Sequence, residues 1–197
     1  MSLLQNLEIE FKNMLTKEEY ERLFEFFKLE EDAIFTQENH YFDTADFQLK
    51  RNGAALRIRE KNGQYELTLK QPYKEGLLET NELLSVQEAQ QAISRNILPS
   101  GTVQQLIEKM GIPFSILEYF GSLVTKRAEI KDSNGLLVLD YSTYLNTEDY
   151  ELEYEVENVK QGQAFFHKFL AKHGIPVRET KNKVRRFYER KYSMMNL

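Results

Sequence analysis

The stretch Glu8-Ile9-Glu10-Phe11-Lys12 alternates charged and apolar side chains. Successive side chains of a β-strand point to opposite faces of the sheet, so the two carboxylates and the ammonium would share one face while Ile9 and Phe11 share the other. The stretch therefore predicts a strand over Leu7–Lys12 with one apolar face and one face that carries charges of both signs.

The same alternation recurs along the chain, in short segments bounded by turn residues or helical patterns. Asn62-Gly63 lies between two of them and favours a two-residue hairpin, because both residues tolerate positive φ angles. Asp132-Ser133-Asn134-Gly135 predicts another antiparallel hairpin with a longer loop. The predicted strands are Leu7–Lys12, Phe35–Phe42, Ala54–Lys61, Gln64–Gln71, Leu77–Leu84, Gly121–Lys131, Leu136–Ser142 and Asp149–Glu157.

Helical patterns are fewer. Thr16 with Glu19, and Ser85 with Glu88, resemble capping boxes that precede apolar residues at helical spacing. Three further helices are predicted around the apolar residues of 103–110, 165–170 and 184–188. Because the chain has no low-complexity linker and no long repeat, we predict a single domain over residues 1–197.

Composition excludes several classes of protein. The net charge of −5 argues against a nucleic-acid partner, since such proteins usually carry a basic surface. The chain has no cysteine, which excludes disulfides, thiolate zinc sites and thiol catalysis. No apolar run reaches membrane-spanning length, and Met1–Gln5 lacks the features of a signal peptide. We expect a cytoplasmic protein without a membrane partner.

Charged faces recur on most of the predicted strands. Arg57 and Arg59 share a face, as do Glu66 and Lys70, and the acids at 151, 153, 155 and 157 form a series. For one strand, the simpler interpretation is the solvated face of an amphipathic sheet. The recurrence of both signs on separate strands instead favours a β-dominated α+β fold, a closed eight-stranded antiparallel barrel with charges inside and helices outside.

Several motifs along nearly the whole chain carry a family resemblance. They are Glu8-Ile9-Glu10-Phe11-Lys12, Tyr41-Phe42-Asp43-Thr44, Leu56-Arg57-Ile58-Arg59, Thr68-Leu69-Lys70, Leu139-Asp140 and Glu153-Tyr154-Glu155. In this order they resemble the CYTH domain, or triphosphate tunnel metalloenzyme, superfamily. The first motif alone is weakly specific, because charged alternation is common.

The resemblance implies a tunnel in which basic side chains bind a triphosphate and acidic ones hold Mg²⁺ or Mn²⁺. The implied phosphate-binding residues are Lys12, Arg57, Arg59, Lys70, Arg127, Lys183 and Arg186. The implied metal ligands are Glu8, Glu10, Asp140, Glu153 and Glu155. Glu153 or Glu155 would also act on the side of the attacking water, as the catalytic carboxylate.

The implied function is a metal-dependent triphosphatase that removes the terminal phosphate of inorganic, nucleoside or thiamine triphosphate. An adenylate cyclase and a non-catalytic module that binds polyphosphate or a nucleotide are the alternatives, and a homodimer is left open. The sequence also leaves open which face of 77–84 points inward, and so whether Glu79 belongs to the site, and whether Lys181 or Lys183 is the late lysine. His40, His167 and His173 are given no role.

Overall fold

Nine β-strands, six α-helices and two short 3₁₀ helices, Glu31–Ala33 and Phe114–Ile116, make up the regular structure of residues 4–195, the part of the chain that the computed structural model describes. The strands are β1 Leu4–Glu8, β2 Glu10–Leu15, β3 Ile34–Asp43, β4 Ala55–Lys61, β5 Gln64–Tyr73, β6 Gly76–Leu84, β7 Glu118–Asp132, β8 Gly135–Tyr144 and β9 Thr147–Val156. The helices are α1 Lys17–Phe26, α2 Gln48–Arg51, α3 Val86–Arg95, α4 Thr102–Lys109, α5 Val159–Lys172 and α6 Lys183–Met195.

All eight predicted strand regions are found, but the first of them is divided. Ile9 separates β1 from β2, and the two segments have different neighbours. The strands hydrogen bond in the order β1-β6-β5-β4-β3-β7-β8-β9-β2, so β1 and β2 stand at opposite ends of the order. The sheet therefore has nine strand segments, where the sequence predicts eight strands.

The predicted hairpins are antiparallel, and one loop is shorter than expected. Asn62 and Gly63 have φ angles of 53° and 74° between β4 and β5, as a two-residue type I′ turn requires. Between β7 and β8 the cross-strand pair Asp132 and Gly135 leaves only two residues in the loop, so the longer loop was a wrong prediction.

Capping explains where the helices begin. The capping boxes of Thr16 with Glu19 and of Ser85 with Glu88 are both present, before α1 and α3. Helix α2 was missed because one turn is too short to show a helical period. The carboxylate of Asp43 holds it in place by accepting hydrogen bonds from the backbone N–H groups of Leu49 and Lys50, at 2.9 and 3.1 Å.

The fold comprises two compact units, each with its own hydrophobic core. Unit one contains the described residues up to Leu7 and Gln37–Leu123, and unit two contains Glu8–Thr36 and the chain from Val124 onward. In unit one, β4 and β5 pack against α3 and α4 through Leu56, Ile58, Leu67, Leu69, Ala89, Ala92, Val103 and Ile107. In unit two, β8 and β9 pack against α1 and α5 through Leu137, Leu139, Leu152, Tyr154, Leu23, Phe166, Phe169 and Leu170. The single domain over residues 1–197 stays a prediction.

Alternation along the strands separates the core from the charged residues. Leu56 and Ile58 are fully buried in the core, and Arg57 and Arg59 therefore lie on the opposite face of β4. The register of β5 with β6 settles the face that the sequence left open. Lys70 pairs with Glu79 and Thr68 with Asn81, which places Glu79 and Asn81 on the face of Arg57.

Glu82 lies on the other face of β6, where its carboxylate accepts a hydrogen bond from the backbone N–H of Thr102 at 2.5 Å and so caps the start of α4. Among the described residues no helix is both long and apolar enough to cross a membrane.

Two leucines on opposite faces of unit one test this assignment. Leu67 is 0% exposed in the core, whereas Leu83 is 70% exposed on the charged face. We expect Leu67→Ala to lower the free energy of unfolding by about 2–5 kcal/mol, because it leaves a cavity. Leu83→Ala, the matched control, should change it by no more than about 0.5 kcal/mol. Denaturant titration measures both, and equal losses would contradict the assigned faces.

Candidate active site

Arg127 lies at the centre of a buried charge cluster in unit two. It stands directly across from Asp140 in the pairing of β7 with β8. Its Nε donates to Asp140 Oδ1 at 2.8 Å and its Nη2 to Oδ2 at 2.7 Å, and Nη2 also donates to Glu153 Oε2 at 2.8 Å. Burial opposes the charge of Arg127, but Asp140 and Glu153 outweigh it and hold its pKa well above the ordinary value.

Lys183 brings a second cation to the same carboxylates. As the first residue of α6, it places Nζ 2.8 Å from Asp140 Oδ2, 2.5 Å from Glu153 Oε1 and 3.2 Å from Glu151 Oε2. Burial lowers the pKa of Lys183, yet these three acids raise it far more. Lys181 instead forms an exposed ion pair with Glu189, so Lys183 is the lysine that lies in the cluster.

Arg186 extends the cluster along α6. Its Nε donates to Asp149 Oδ2 at 2.9 Å, and its Nη2 donates to Glu151. Glu151 is fully buried, and burial raises the pKa of its carboxyl group. Sequence reasoning placed Glu151 in the acidic series of its strand but not among the site residues. Its position two residues before Glu153 could have identified Glu151 as a site residue, because residues i and i+2 of a strand share one face.

Strand β2 adds Glu10 and Lys12 to this cluster. Its register with β9 places Lys12 opposite Glu153 and Glu10 opposite Glu155. Lys12 Nζ forms an ion pair with Glu10. Burial lowers the pKa of Lys12, but Glu10, Glu153 and Glu151 together raise it above the ordinary value. The first motif of the chain therefore supplies both an acid and a base to one charged face.

The two predicted catalytic carboxylates have different environments. Burial favours the neutral form of Glu153, but Lys183 and Arg127 overcome it and hold the pKa of Glu153 well below the ordinary value. The Glu155 side chain is 34% exposed and lies 3.9 Å from Arg127. Burial, opposed by Arg127 but reinforced by Glu8, Glu153 and Glu10, raises the pKa of Glu155 to about 7. Glu155 therefore titrates near neutrality, and Glu153 stays ionised.

The acids of β1, β2 and β9 have the oxygen chemistry that a hard divalent cation prefers, although no three of these described side chains have ligand atoms within 4.8 Å of one another. Glu10 and Glu155 are directly opposed across two strands, and this unfavourable arrangement of like charges is offset only in part by Lys12, which pairs with Glu10, and by Arg127, which lies 3.9 Å from Glu155. Glu8 adds to the field at Glu155, and carboxylate oxygens are the ligands that Mg²⁺ and Mn²⁺ prefer. Asp140 fits less well, because Arg127 contacts both of its oxygens and Lys183 contacts one of them.

Unit one carries its own group of predicted phosphate-binding residues. Lys70 Nζ lies 2.6 Å from Glu79 Oε1, and Arg57 Nη2 lies 3.5 Å from the same oxygen. Burial raises the pKa of Glu79, but Lys70 and Arg57 outweigh it and lower the pKa to about 2. Arg59 Nε donates to Asn39 Oδ1 at 3.4 Å, a contact that sequence reasoning did not identify.

A group of residues that could hold a metal lies on the other face of unit one. One ligand atom each from Glu38, His40 and Glu60 lies within 4.8 Å of the others, and no other such group occurs in residues 4–195. His40 pairs with Ile58 of the core face, so this group faces away from Arg57. Burial lowers the pKa of His40. His40 has no predicted role, although Glu38 and His40 are two residues apart and so share one face of a predicted strand.

The chain also resembles known proteins. A family model described as the CYTH domain matches residues 6–188. YjbK of Bacillus subtilis strain 168, which is provisionally named a triphosphatase, is 50% identical over 187 residues that cover 95% of this chain and 97% of YjbK.

Two solved structures are similar as well. A Bacillus halodurans protein, provisionally named an adenylate cyclase, superposes with a TM-score of 0.90 at 43% identity, over 93% of this chain and 98% of that one. HpAC1 from Hippeastrum, provisionally named an adenylyl cyclase and described as having a dominant triphosphatase activity, has a TM-score of 0.76 at 24% identity, over 93% and 96% of the two chains. At that identity HpAC1 supports the fold alone. The match of the family model over most of the chain, together with these relatives, shows that the chain belongs to the CYTH domain family.

Proposed function

We propose that this protein is a metal-dependent triphosphatase that removes the terminal phosphate of inorganic triphosphate or of an organic triphosphate. The observation that carries the proposal is the buried cluster of unit two, where Arg127 and Lys183 are fixed among carboxylates beside the opposed acids Glu10 and Glu155. Membership of the CYTH family and the name of YjbK support the same activity.

The basic residues of both units are proposed to bind phosphate oxygens. Arginine offers a planar fork that matches a phosphoryl group, and lysine supplies a point charge. Arg127 is held in place by Asp140, so its orientation is fixed before substrate arrives. The full proposed set is Lys12, Arg57, Arg59, Lys70, Arg127, Lys183 and Arg186.

Glu8, Glu10 and Glu155 are proposed as the main ligands of Mg²⁺ or Mn²⁺, with Glu153 and Asp140 as further ligands on the predicted list. When bound, the metal would neutralise phosphate charge and polarise the terminal phosphorus. The group of Glu38, His40 and Glu60 is not part of this proposal, because it lies on the core face of its strands.

Glu155 is proposed as the proton acceptor, and Glu153 as the acid that holds Lys183 and Arg127. Both oxygens of Glu153 accept hydrogen bonds from cations, one from Arg127 and one from Lys183, whereas Glu155 is partly exposed and its nearest cation, Arg127, lies 3.9 Å away, so Glu155 has an oxygen available to the attacking water. Water would form a bond to the terminal phosphorus and pass its proton to Glu155. The bond from that phosphorus to the bridging oxygen would break, and the basic residues would stabilise the departing anion.

The closed barrel, the single domain and the cytoplasmic setting are part of the same proposal. The chain runs from β1 to β2 through Ile9 alone, and these segments stand at the two ends of the strand order, which supports a closed sheet. The acidic net charge supports the absence of a nucleic-acid partner. A homodimer stays a prediction.

The first test is a panel of inorganic triphosphate, ATP and thiamine triphosphate, each with Mg²⁺, Mn²⁺ or a chelator. We expect phosphate release from at least one substrate and its loss in the chelator. Chromatography of the products separates the alternatives. A cyclic nucleotide with pyrophosphate would indicate a cyclase, and binding without products would indicate a non-catalytic module.

The role of Glu10 can be tested at nearly constant side-chain volume. Glu10→Gln removes one ligand charge, and we expect turnover to fall by about 10²-fold or more while the midpoint of thermal unfolding changes little. Glu157→Gln is the matched control, because Glu157 is exposed and lies just beyond β9. Equal activity of the two variants would rule out Glu10 as a ligand.

The raised pKa of Glu155 predicts a pH dependence of stability in chelator. The folded protein holds a proton on Glu155 up to about pH 7, whereas the unfolded chain releases it near the ordinary carboxyl value of 4.5. Stability should therefore fall as the pH rises from about 4.5 to about 7, by about 1 kcal/mol once solvent screening of the part-exposed side chain is allowed for. Denaturant titration across this range measures it. Glu155→Gln should flatten the decline, and parallel curves for parent and variant would contradict the assignment.

A further inference from the structure

A row of three polar side chains crosses neighbouring strands on the charged face of unit one. Arg57 of β4 pairs directly with Thr68 of β5, and Thr68 pairs directly with Asn81 of β6. Side chains at such positions have Cβ atoms about 5 Å apart. Thr68 is 0% exposed and Asn81 is 8% exposed. The row therefore brings three hydrogen-bonding groups together out of contact with bulk water.

Each member of the row has a buried polar atom for which the described residues provide no hydrogen-bond partner. These atoms are Nε of Arg57, Oγ1 of Thr68 and Oδ1 of Asn81. Buried polar atoms are nearly always hydrogen bonded in folded proteins, because desolvation without a partner is unfavourable. Three such atoms on adjacent strands indicate a place where another molecule completes the hydrogen bonds.

Thr80 on the other face of β6 provides a contrast. It is as deeply buried as Thr68, but its hydroxyl accepts a hydrogen bond from Gln5 Nε2 at 3.2 Å. Burial of a threonine hydroxyl in this sheet is therefore compatible with a protein partner. In the described part of unit one, the buried polar side-chain atoms without a hydrogen-bond partner all lie on the face that carries the basic residues.

The chemistry of the row suits an oxygen anion. Arg57 Nε–H and the Thr68 hydroxyl can both donate a hydrogen bond. The side-chain amide of Asn81 can also donate if it is rotated by about 180°, because this rotation puts the amide nitrogen where the oxygen was and leaves the shape of the side chain almost unchanged. A metal ion would not suit Arg57, because a guanidinium has no acceptor atom. Lys70 and Arg59 occupy the neighbouring positions along β5 and β4, and together with Arg57 these three cations outnumber the two acids of the same face, Glu79 and Glu66, so the surroundings also favour an anion.

We propose that Arg57, Thr68 and Asn81 form a subsite for one non-bridging oxygen of a phosphoryl group in the bound triphosphate. This inference rests on the proposed triphosphatase function and deepens it. Thr68 and Asn81 are neutral, so they recognise the oxygen by hydrogen-bond geometry. The lysines and arginines attract the triphosphate by charge. The subsite would in addition select the position of one phosphoryl group.

The test compares Thr68→Val with the matched control Thr80→Val. Valine preserves the shape of threonine and removes the hydroxyl. We expect Thr68→Val to weaken the binding of inorganic triphosphate about tenfold or more, measured by calorimetry in chelator, and to raise KM similarly in the metal-activated assay. Thr80→Val should bind like the parent, and Thr68→Ser, which keeps the hydroxyl, should restore most of the affinity.

A stability measurement separates recognition from folding. Without triphosphate, Thr68→Val should unfold at the same temperature as the parent or higher, because the hydroxyl it removes has no partner there. The variant Asn81→Asp tests whether the bound group is negatively charged. A new negative charge should weaken the binding of an oxygen anion, and tighter binding of triphosphate by this variant would overturn the subsite.

The possible results distinguish a failure of the subsite from a failure of the proposed triphosphatase function. If the parent binds and hydrolyses triphosphate and Thr68→Val does so with the parent's affinity and KM, the row holds ordered water only and the inference is wrong. If Thr80→Val loses as much affinity as Thr68→Val, the effect is structural and the inference is again wrong. If the parent itself neither binds nor hydrolyses any triphosphate of the panel, the proposed function fails, and the subsite fails with it.

Discussion

The hydrogen-bonded ion pair of Arg127 with Asp140 is the interaction around which unit two is organised. Asp140 is fully buried and the Arg127 side chain is only 11% exposed, and charges removed from water in this way are strongly unfavourable unless opposite charges and hydrogen bonds compensate them. Compensation here needs exact strand register, because the pair forms directly across β7 and β8. It also needs α6, whose first residue brings Lys183 to the same carboxylate. The charges that would bind substrate are thus fixed by the same contacts that make their burial tolerable.

The asymmetry between Glu153 and Glu155 follows from this organisation. The two residues are on the same face of one strand, yet Glu153 is enclosed by Lys183 and Arg127 while Glu155 lies among other acids. One carboxyl group is therefore kept ionised and the other is able to exchange a proton near neutrality. The residues that surround each glutamate therefore give two identical side chains different acidities. The two glutamates can take different roles although they are the same type of residue.

Much of this arrangement is predictable from alternation and capping. The period of two along β4 and β9 correctly separated core residues such as Ile58 and Leu152 from charged ones such as Arg59 and Glu153. The break at Ile9 was not predictable, because charged and apolar residues alternate without interruption along Leu7–Lys12. Only the pairing shows it, since β1 and β2 hydrogen bond with different strands. Contacts between distant segments, such as Lys183 with Asp140, and the pKa of Glu155 depend on tertiary packing that a single strand pattern does not encode.

The discontinuous sequence of unit two affects the order in which the protein can fold during translation. Its residues come from both parts of the chain, Glu8–Thr36 and the segment beyond Val124, and β2 hydrogen bonds with β9. Contacts between such distant segments form slowly, because a long loop must close first. During synthesis, the segment with Glu10 and Lys12 leaves the ribosome well before β9 and α6 exist, so its apolar face has no native partner for most of that time. Unit two can thus assemble only late in translation, whereas Gln37–Leu123 contains most of unit one as a continuous stretch and can begin to fold earlier.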